Sequence, residues 1–92
     1  MDEMKDYNVR LSAKSEKELD KMKTKDKSNF ELIISHMKNL EENPNYYGKP
    51  LTGNLKGLWS YRIGDFRIIY EIQDDKCLVF VITIGHRRDV YG

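Results

Sequence analysis

Leu58 to Tyr70 reads L-W-S-Y-R-I-G-D-F-R-I-I-Y, and no other stretch restricts the fold as much. Two runs rich in aromatic and β-branched residues flank Gly64-Asp65, the short-range signature of a tight β-hairpin. With those two residues as the whole loop, Ile63 lies opposite Phe66, Arg62 opposite Arg67 and Tyr61 opposite Ile68. Side chains alternate faces along a strand, so Trp59, Tyr61, Ile63, Phe66, Ile68 and Tyr70 share one apolar face. Arg62 and Arg67 stand side by side on the other. Like charges directly opposite each other are unfavourable in a sheet. The pair therefore costs stability unless an anion, such as a carboxylate or a phosphate, sits between them.

The rest of the chain supplies what such a hairpin can pack against. Tyr7 to Leu11 alternates apolar and polar residues and reads as a short strand. Ser12 or Ser15 can then cap a helix, and Ser15 with Glu18 has the capping-box spacing. Leu19 and Met22 are its only large apolar residues, which predicts a short helix with a narrow packing stripe, broken at Thr24 to Lys27. Ser28 with Glu31 repeats the capping pattern. Phe30, Ile33, Ile34, Met37 and Leu40 then recur on one face of a longer helix. Asn43-Pro44 ends it, because the residue before proline avoids the helical region. Asn45 to Gly57 reads as a loop anchored by Leu51 and Leu55. After the hairpin, Asp74-Asp75 makes a turn, and Cys77 to Ile84 is a continuous apolar strand, expected to be central and buried on both faces. This order predicts an α+β fold in one domain, residues 1–92: an N-terminal strand and a helical hairpin packed on a mostly antiparallel sheet of about four strands.

Charge narrows the functional classes. The net charge is only +1, but residues 1–45 carry nine basic and ten acidic side chains, and residues 46–92 seven basic and five acidic. Four of the five arginines, Arg62, Arg67, Arg87 and Arg88, lie in that second part. Arginine's planar fork matches phosphate oxygens, whereas lysine is a point charge that keeps helices soluble. The bias hints at anion binding on the sheet, in an overall field that is weak for a nucleic-acid binder. One cysteine, Cys77, leaves no internal disulfide and cannot build a zinc site alone. Two distant histidines without matching carboxylates give no metal signal, so neither metal nor cofactor is expected. No run approaches the ~18 apolar residues of a membrane span, and M-D-E-M-K-D-Y lacks the segments of a signal peptide. The expectation is a cytoplasmic protein with no membrane partner.

The remaining chemical candidates cluster in G-H-R-R-D-V-Y, Gly85 to Tyr91. An even-length turn at Asp74-Asp75 puts Ile82 opposite Arg67 and sends Arg87 to the other face. A three-residue turn, or an irregular chain after Gly85, brings Arg87 round to Arg62 and Arg67. In that case three guanidiniums, the His86 imidazole and the Tyr91 phenol could stabilise a pentavalent phosphorane and move protons. The plainer alternatives are solvated arginines paired with Asp65, Glu71 or Asp89, a strand-end histidine, and a packing tyrosine. Trp59, Tyr61 and Tyr70 read as core, His36 as structural, and Tyr46 and Tyr47 as residues able to stack on bases but more simply pinned to the core.

L-T-G-N-L-K-G-L-W-S-Y-R-I-G-D-F-R-I-I-Y-E-I, followed by V-I-T-I-G-H-R-R-D-V-Y, resembles the RelE/ParE superfamily of type II toxin–antitoxin toxins, most nearly its RelE branch. The resemblance implies a microbial-ribonuclease-like α+β domain that enters the ribosomal A site and cleaves mRNA there without metal, the ribose 2′-hydroxyl attacking the adjacent phosphate. It matches Arg67 to the arginine on the scissile phosphate, Arg87 to the one that stabilises the transition state, and Tyr91 to a tyrosine of stacking and catalysis. His86 precedes that family arginine, near where some relatives keep an acid/base histidine. Arg62, Arg88 and Lys56 would bind RNA. An arginine in the second strand stays protonated and makes a poor general base, which directs attention to His86, to Lys56 or to a base supplied elsewhere. The implied partners are a cognate RelB-like antitoxin, the ribosome with its mRNA, and operator DNA reached through the antitoxin. Two rival expectations share the fold: a ParE-like inhibitor of DNA gyrase without nuclease activity, and a degenerate toxin acting only as co-repressor with its antitoxin.

Overall fold

The hairpin forms as its sequence dictates. In the computed structural model, which describes residues 6–86 and Arg88, Trp59–Ile63 and Phe66–Gln73 pair antiparallel with Ile63 opposite Phe66, Arg62 opposite Arg67 and Tyr61 opposite Ile68. Gly64 holds φ +60°, the left-handed conformation that a two-residue hairpin loop demands and glycine adopts without a Cβ penalty. Around it run, in chain order, β1 (Asn8–Leu11), α1 (Ala13–Lys25), α2 (Lys27–Glu42), α3 (Pro44–Tyr47), β2 (Lys49–Pro50), β3 (Trp59–Ile63), β4 (Phe66–Gln73) and β5 (Leu78–His86). The sheet has the order β1-β5-β4-β3-β2, with β1 parallel to β5 and every other pair antiparallel.

The architecture is the expected α+β one, with five strands in place of about four. The difference lies in Asn45 to Gly57, expected to be a loop. It contains most of the single-turn helix α3, a 3-10 turn at Gly53–Leu55, and the two-residue strand β2 paired to β3. A two-residue strand has no periodicity of its own, and it exists because β3 offers it an open edge. Leu51 is half-buried as an anchor, whereas Leu55 is exposed.

Of the two helix starts, the first takes one of its two expected caps and the second departs from expectation. Ser12 caps α1, its hydroxyl accepting from the Ser15 N–H at 3.0 Å. Asp26 caps α2 and accepts from both the backbone and the side-chain amide of Asn29, so Ser28 lies inside the helix. A single residue, Asp26, thus closes one helix and opens the next, and no capping box at Ser15 or Ser28 is needed.

Poverty of apolar residues in α1 is offset by polar locks onto β5. The fully buried Ser15 hydroxyl donates to the Val81 carbonyl (3.1 Å), and Ser12 donates to that of Ile82 (2.8 Å). Glu18 accepts from the Thr83 hydroxyl and, at 2.8 Å, from the Ile84 N–H. These contacts converge on a β-bulge. Ile69 pairs with Thr83 and Tyr70 with Val81, leaving Ile82 as the extra residue of β5.

Helix α2 supplies the apolar cover, burying Ile33 and Leu40 completely against Tyr61, Ile63, Ile68, Tyr70, Val79, Val81 and Ile84. Trp59 and Phe66 sit at the margin of this core, half-buried, as does Cys77. β5 is interior in the sheet, but Leu78, Phe80 and Ile82 are only half-buried, so the helix-free face is not sealed to the same degree.

Candidate functional site

The cross-strand arginines share their face of the sheet with Ser60, two residues before Arg62 on β3. Ser60 lies opposite Lys49 of β2, which brings a third cation to the same surface. Arg67 is half-buried with its Nε shut off from solvent, and its Nη1 donates to the Ser60 hydroxyl at 3.3 Å. Arg62 is exposed, bonded only loosely (3.5 Å) from Nε to the Gly64 carbonyl. Together they border a recess of about 390 Å³ lined by Tyr47, Lys49, Pro50, Leu51, Ser60, Arg62 and Arg67. Three permanent or near-permanent cations and two hydroxyls face this space, and among the described residues no carboxylate lines it. Such a surface suits an anion flanked by an apolar or aromatic group.

The wall carrying Tyr47 and Lys49 is fixed from behind by Tyr70. Its hydroxyl, fully buried, donates at 2.7 Å to the carbonyl of Pro44, the first residue of α3. Gly48 packs so tightly over the same hydroxyl that a Cβ there would collide with it. Burial pushes the Tyr70 phenol well above its ordinary pKa, so it stays a donor. On the far side of the core, Tyr7 donates to Asp74 at 2.6 Å, and that bond to a carboxylate, with burial, raises its pKa to about 12.

Arg62 and Arg67 are the two expected site residues that the structure brings together. His86 is opposite Phe66, on the helix-facing side of the sheet, its ring edge-on to Phe66 at 5.7 Å and its Nδ1 accepting from the Arg88 N–H. It does not face the recess. Arg88 and Lys56 are exposed, and neither lines it. Arg87 and Tyr91 lie outside the described residues. The turn after β4 is of even length, Asp74 to Cys77 between the paired Gln73 and Leu78, a 3-10 turn closed by Cys77 at φ 49°, and it is the bulge at Ile82 that sets Gly85, not Ile82, opposite Arg67. Lys49 and Ser60 were missed in the sequence. Ser60 could have been found from its i−2 spacing to Arg62, whereas Lys49 reaches the site only through the β2–β3 pairing. Among the described residues no cluster of three or more histidine, cysteine or acidic side chains could hold a metal ion.

Comparison with known proteins sets this small α+β domain among toxins. The sequence profile of the ParE toxin of type II toxin–antitoxin systems, parDE, matches residues 9–91. Toxin RelE of Mycobacterium tuberculosis is 34% identical over 86 residues, 92% of this chain and 86% of that protein. Toxin RelG of the same organism is 38% identical over 52 residues, 56% of this chain and 60% of that protein. The crystal structure of the toxin–antitoxin complex RelBE2, also from Mycobacterium tuberculosis, contains a chain that superposes with a TM-score of 0.80 at 28% identity, covering 89% of this chain and 99% of that one. The chain belongs to the ParE toxin family, and so to the RelE/ParE superfamily of toxins from type II toxin–antitoxin systems.

Proposed function

We propose that this toxin is an endoribonuclease that cuts mRNA in the ribosomal A site and is neutralised by a cognate RelB-like antitoxin. The observation that carries the reading is the pairing of Arg62 with Arg67 beside Lys49 around one recess. An RNA phosphate between the two guanidiniums turns an unfavourable cross-strand pair into a bidentate clamp. The 2′-hydroxyl oxygen attacks phosphorus while the bond from phosphorus to the 5′-oxygen breaks. The products are a 2′,3′-cyclic phosphate and a 5′-hydroxyl. Negative charge grows on the non-bridging oxygens in the transition state, where fixed guanidiniums act most strongly. Arg62 and Arg67 remain protonated throughout, so they stabilise charge and leave the 2′ proton to another group. By resemblance Arg87 and Tyr91 complete the machinery from the C-terminal motif. Antitoxin carboxylates entering the same recess would block it, and the antitoxin would carry any contact with operator DNA.

The test is to add purified, antitoxin-free protein to ribosomes programmed with a short mRNA and to map 3′ ends with and without EDTA. Cleavage within the A-site codon, unaffected by EDTA and reduced about 10²–10³-fold by Arg67→Ala or Arg87→Ala, is the expected result. A folded protein that binds antitoxin but leaves mRNA intact overturns the reading and moves the target to DNA gyrase or to repression alone.

A further inference from the structure

Tyr47 lines the cationic recess with Tyr46 edge-on against it, and the phosphate chemistry uses neither ring. Tyr46 is 75% exposed and Tyr47 38%, whereas Tyr7, Tyr61 and Tyr70 are buried. Large exposed aromatics are costly to leave in water and are commonly kept for contact. Their rings meet edge to face, with centroids 5.1 Å apart at 88°. Tyr47 leans at 5.9 Å on Tyr61, which is itself held by the Asn39 amide at 2.9 Å. Tyr47 is therefore braced from the core outward, while it also lines the recess with Arg62 and Arg67. A braced tyrosine loses little conformational entropy when something stacks on it.

An anion site with a rigid aromatic wall has the two-part chemistry of a nucleotide, a phosphate joined to a π-faced base. An acidic peptide would satisfy the cations equally but would leave the rings unused. We infer that Tyr47, buttressed by Tyr46, is the stacking platform for a nucleobase next to the phosphate held by Arg62 and Arg67. The inference rests on the RNA-binding reading above but not on cleavage. Stacking is tolerant of base identity and depends on the ring, not on charge. The tyrosine contribution should therefore be insensitive to salt, whereas the arginine contribution should not.

The test measures binding of a fluorescent three-nucleotide RNA to the free toxin by anisotropy at low and rising salt. Its first two 2′-hydroxyls are replaced by hydrogen so that neither link can be cut, and each base in turn is deleted to an abasic sugar. Tyr47→Leu keeps apolar bulk against Tyr61 but removes the stacking face, and it should weaken binding roughly 5- to 150-fold. Tyr47→Phe should bind as wild type. Deleting one base should weaken wild type by a similar factor and leave Tyr47→Leu almost unmoved. The slope of log Kd against log salt should stay unchanged in Tyr47→Leu and flatten by roughly 0.7 in Arg62→Ala. Wild-type affinity in Tyr47→Leu, losses that multiply with base deletion at every position, or no oligonucleotide binding by wild type would each overturn the platform. So would loss of antitoxin binding in Tyr47→Leu with RNA affinity intact, which would make the rings a protein contact. Tyr47-dependent binding by a protein that never cleaves mRNA would sustain the platform while refuting the nuclease.

Discussion

Tyr70→Phe removes one oxygen from the centre of the core, and its effects should reach the recess. The hydroxyl donates to the Pro44 carbonyl at 2.7 Å in a fully buried setting. Without it that carbonyl keeps only the long 3.4 Å bond from the Gly48 N–H, so the acceptor is weakened without being orphaned. The cost should therefore be that of one net hydrogen bond, about 1 kcal/mol. At this chain length about 1 kcal/mol corresponds to a Tm fall of roughly 4–8 °C. A second variant makes the test stricter. Gly48 has φ −98°, which any residue adopts, so Gly48→Ala is penalised only by its methyl meeting the Tyr70 side chain. Removing the hydroxyl takes away the nearest clash, although the ring carbon behind it remains at 2.8 Å. Gly48→Ala should hence cost less when combined with Tyr70→Phe, with a coupling of about 0.5–3 kcal/mol, measured by urea unfolding of all four proteins. An unchanged Tm in Tyr70→Phe, or strictly additive losses in the double variant, would refute this account of how α3 and β2 are held.

Three further outcomes can be checked by unfolding. Arg67→Ala should keep its stability within about 0.5 kcal/mol of wild type or gain slightly, since it relieves cross-strand repulsion; a large loss would make the arginine structural and sink the site. Tyr7 binds its proton more tightly folded, with a pKa raised to about 12 from 10.0, so it stabilises the fold below pH 10 and loses that contribution as pH rises toward 12. Alkaline urea titrations should show a slope in that window that flattens in Tyr7→Phe. Glu18→Ala leaves the Ile84 N–H and the Thr83 hydroxyl without their carboxylate and should cost about 1.5–3 kcal/mol by urea unfolding, with Glu18→Gln milder.

The hairpin was legible because Gly64-Asp65 fixes its register, and the register alone sets Arg62 beside Arg67. The helices were legible in position but not in their caps. Ser12 and Ser15, like Asp26 and Ser28, are rival caps within a turn of each other, and the choice between them depends on what α1 meets on β5. The bulge at Ile82 left no mark in an apolar run where every residue suits a strand, yet it decides that Gly85 meets Arg67. β2 was invisible for a different reason. Lys49-Pro50 is a strand only by virtue of its neighbour, so half of the recess wall was out of reach of local pattern.

The parallel pairing of β1 with β5 has a consequence for how the toxin comes into being. Asn8 finds its partner only at Leu78, and the Ser12 cap finds its second bond 70 residues later, at Ile82. During synthesis at ~5–20 residues per second, the N-terminal strand and α1 wait several seconds with nothing to close on. β4 likewise lacks its main neighbour until β5 is made, so the arginine clamp cannot be rigid on a nascent chain. The sheet is completed by β5, and the paired arginines are held from both sides of β4 only once that strand has emerged.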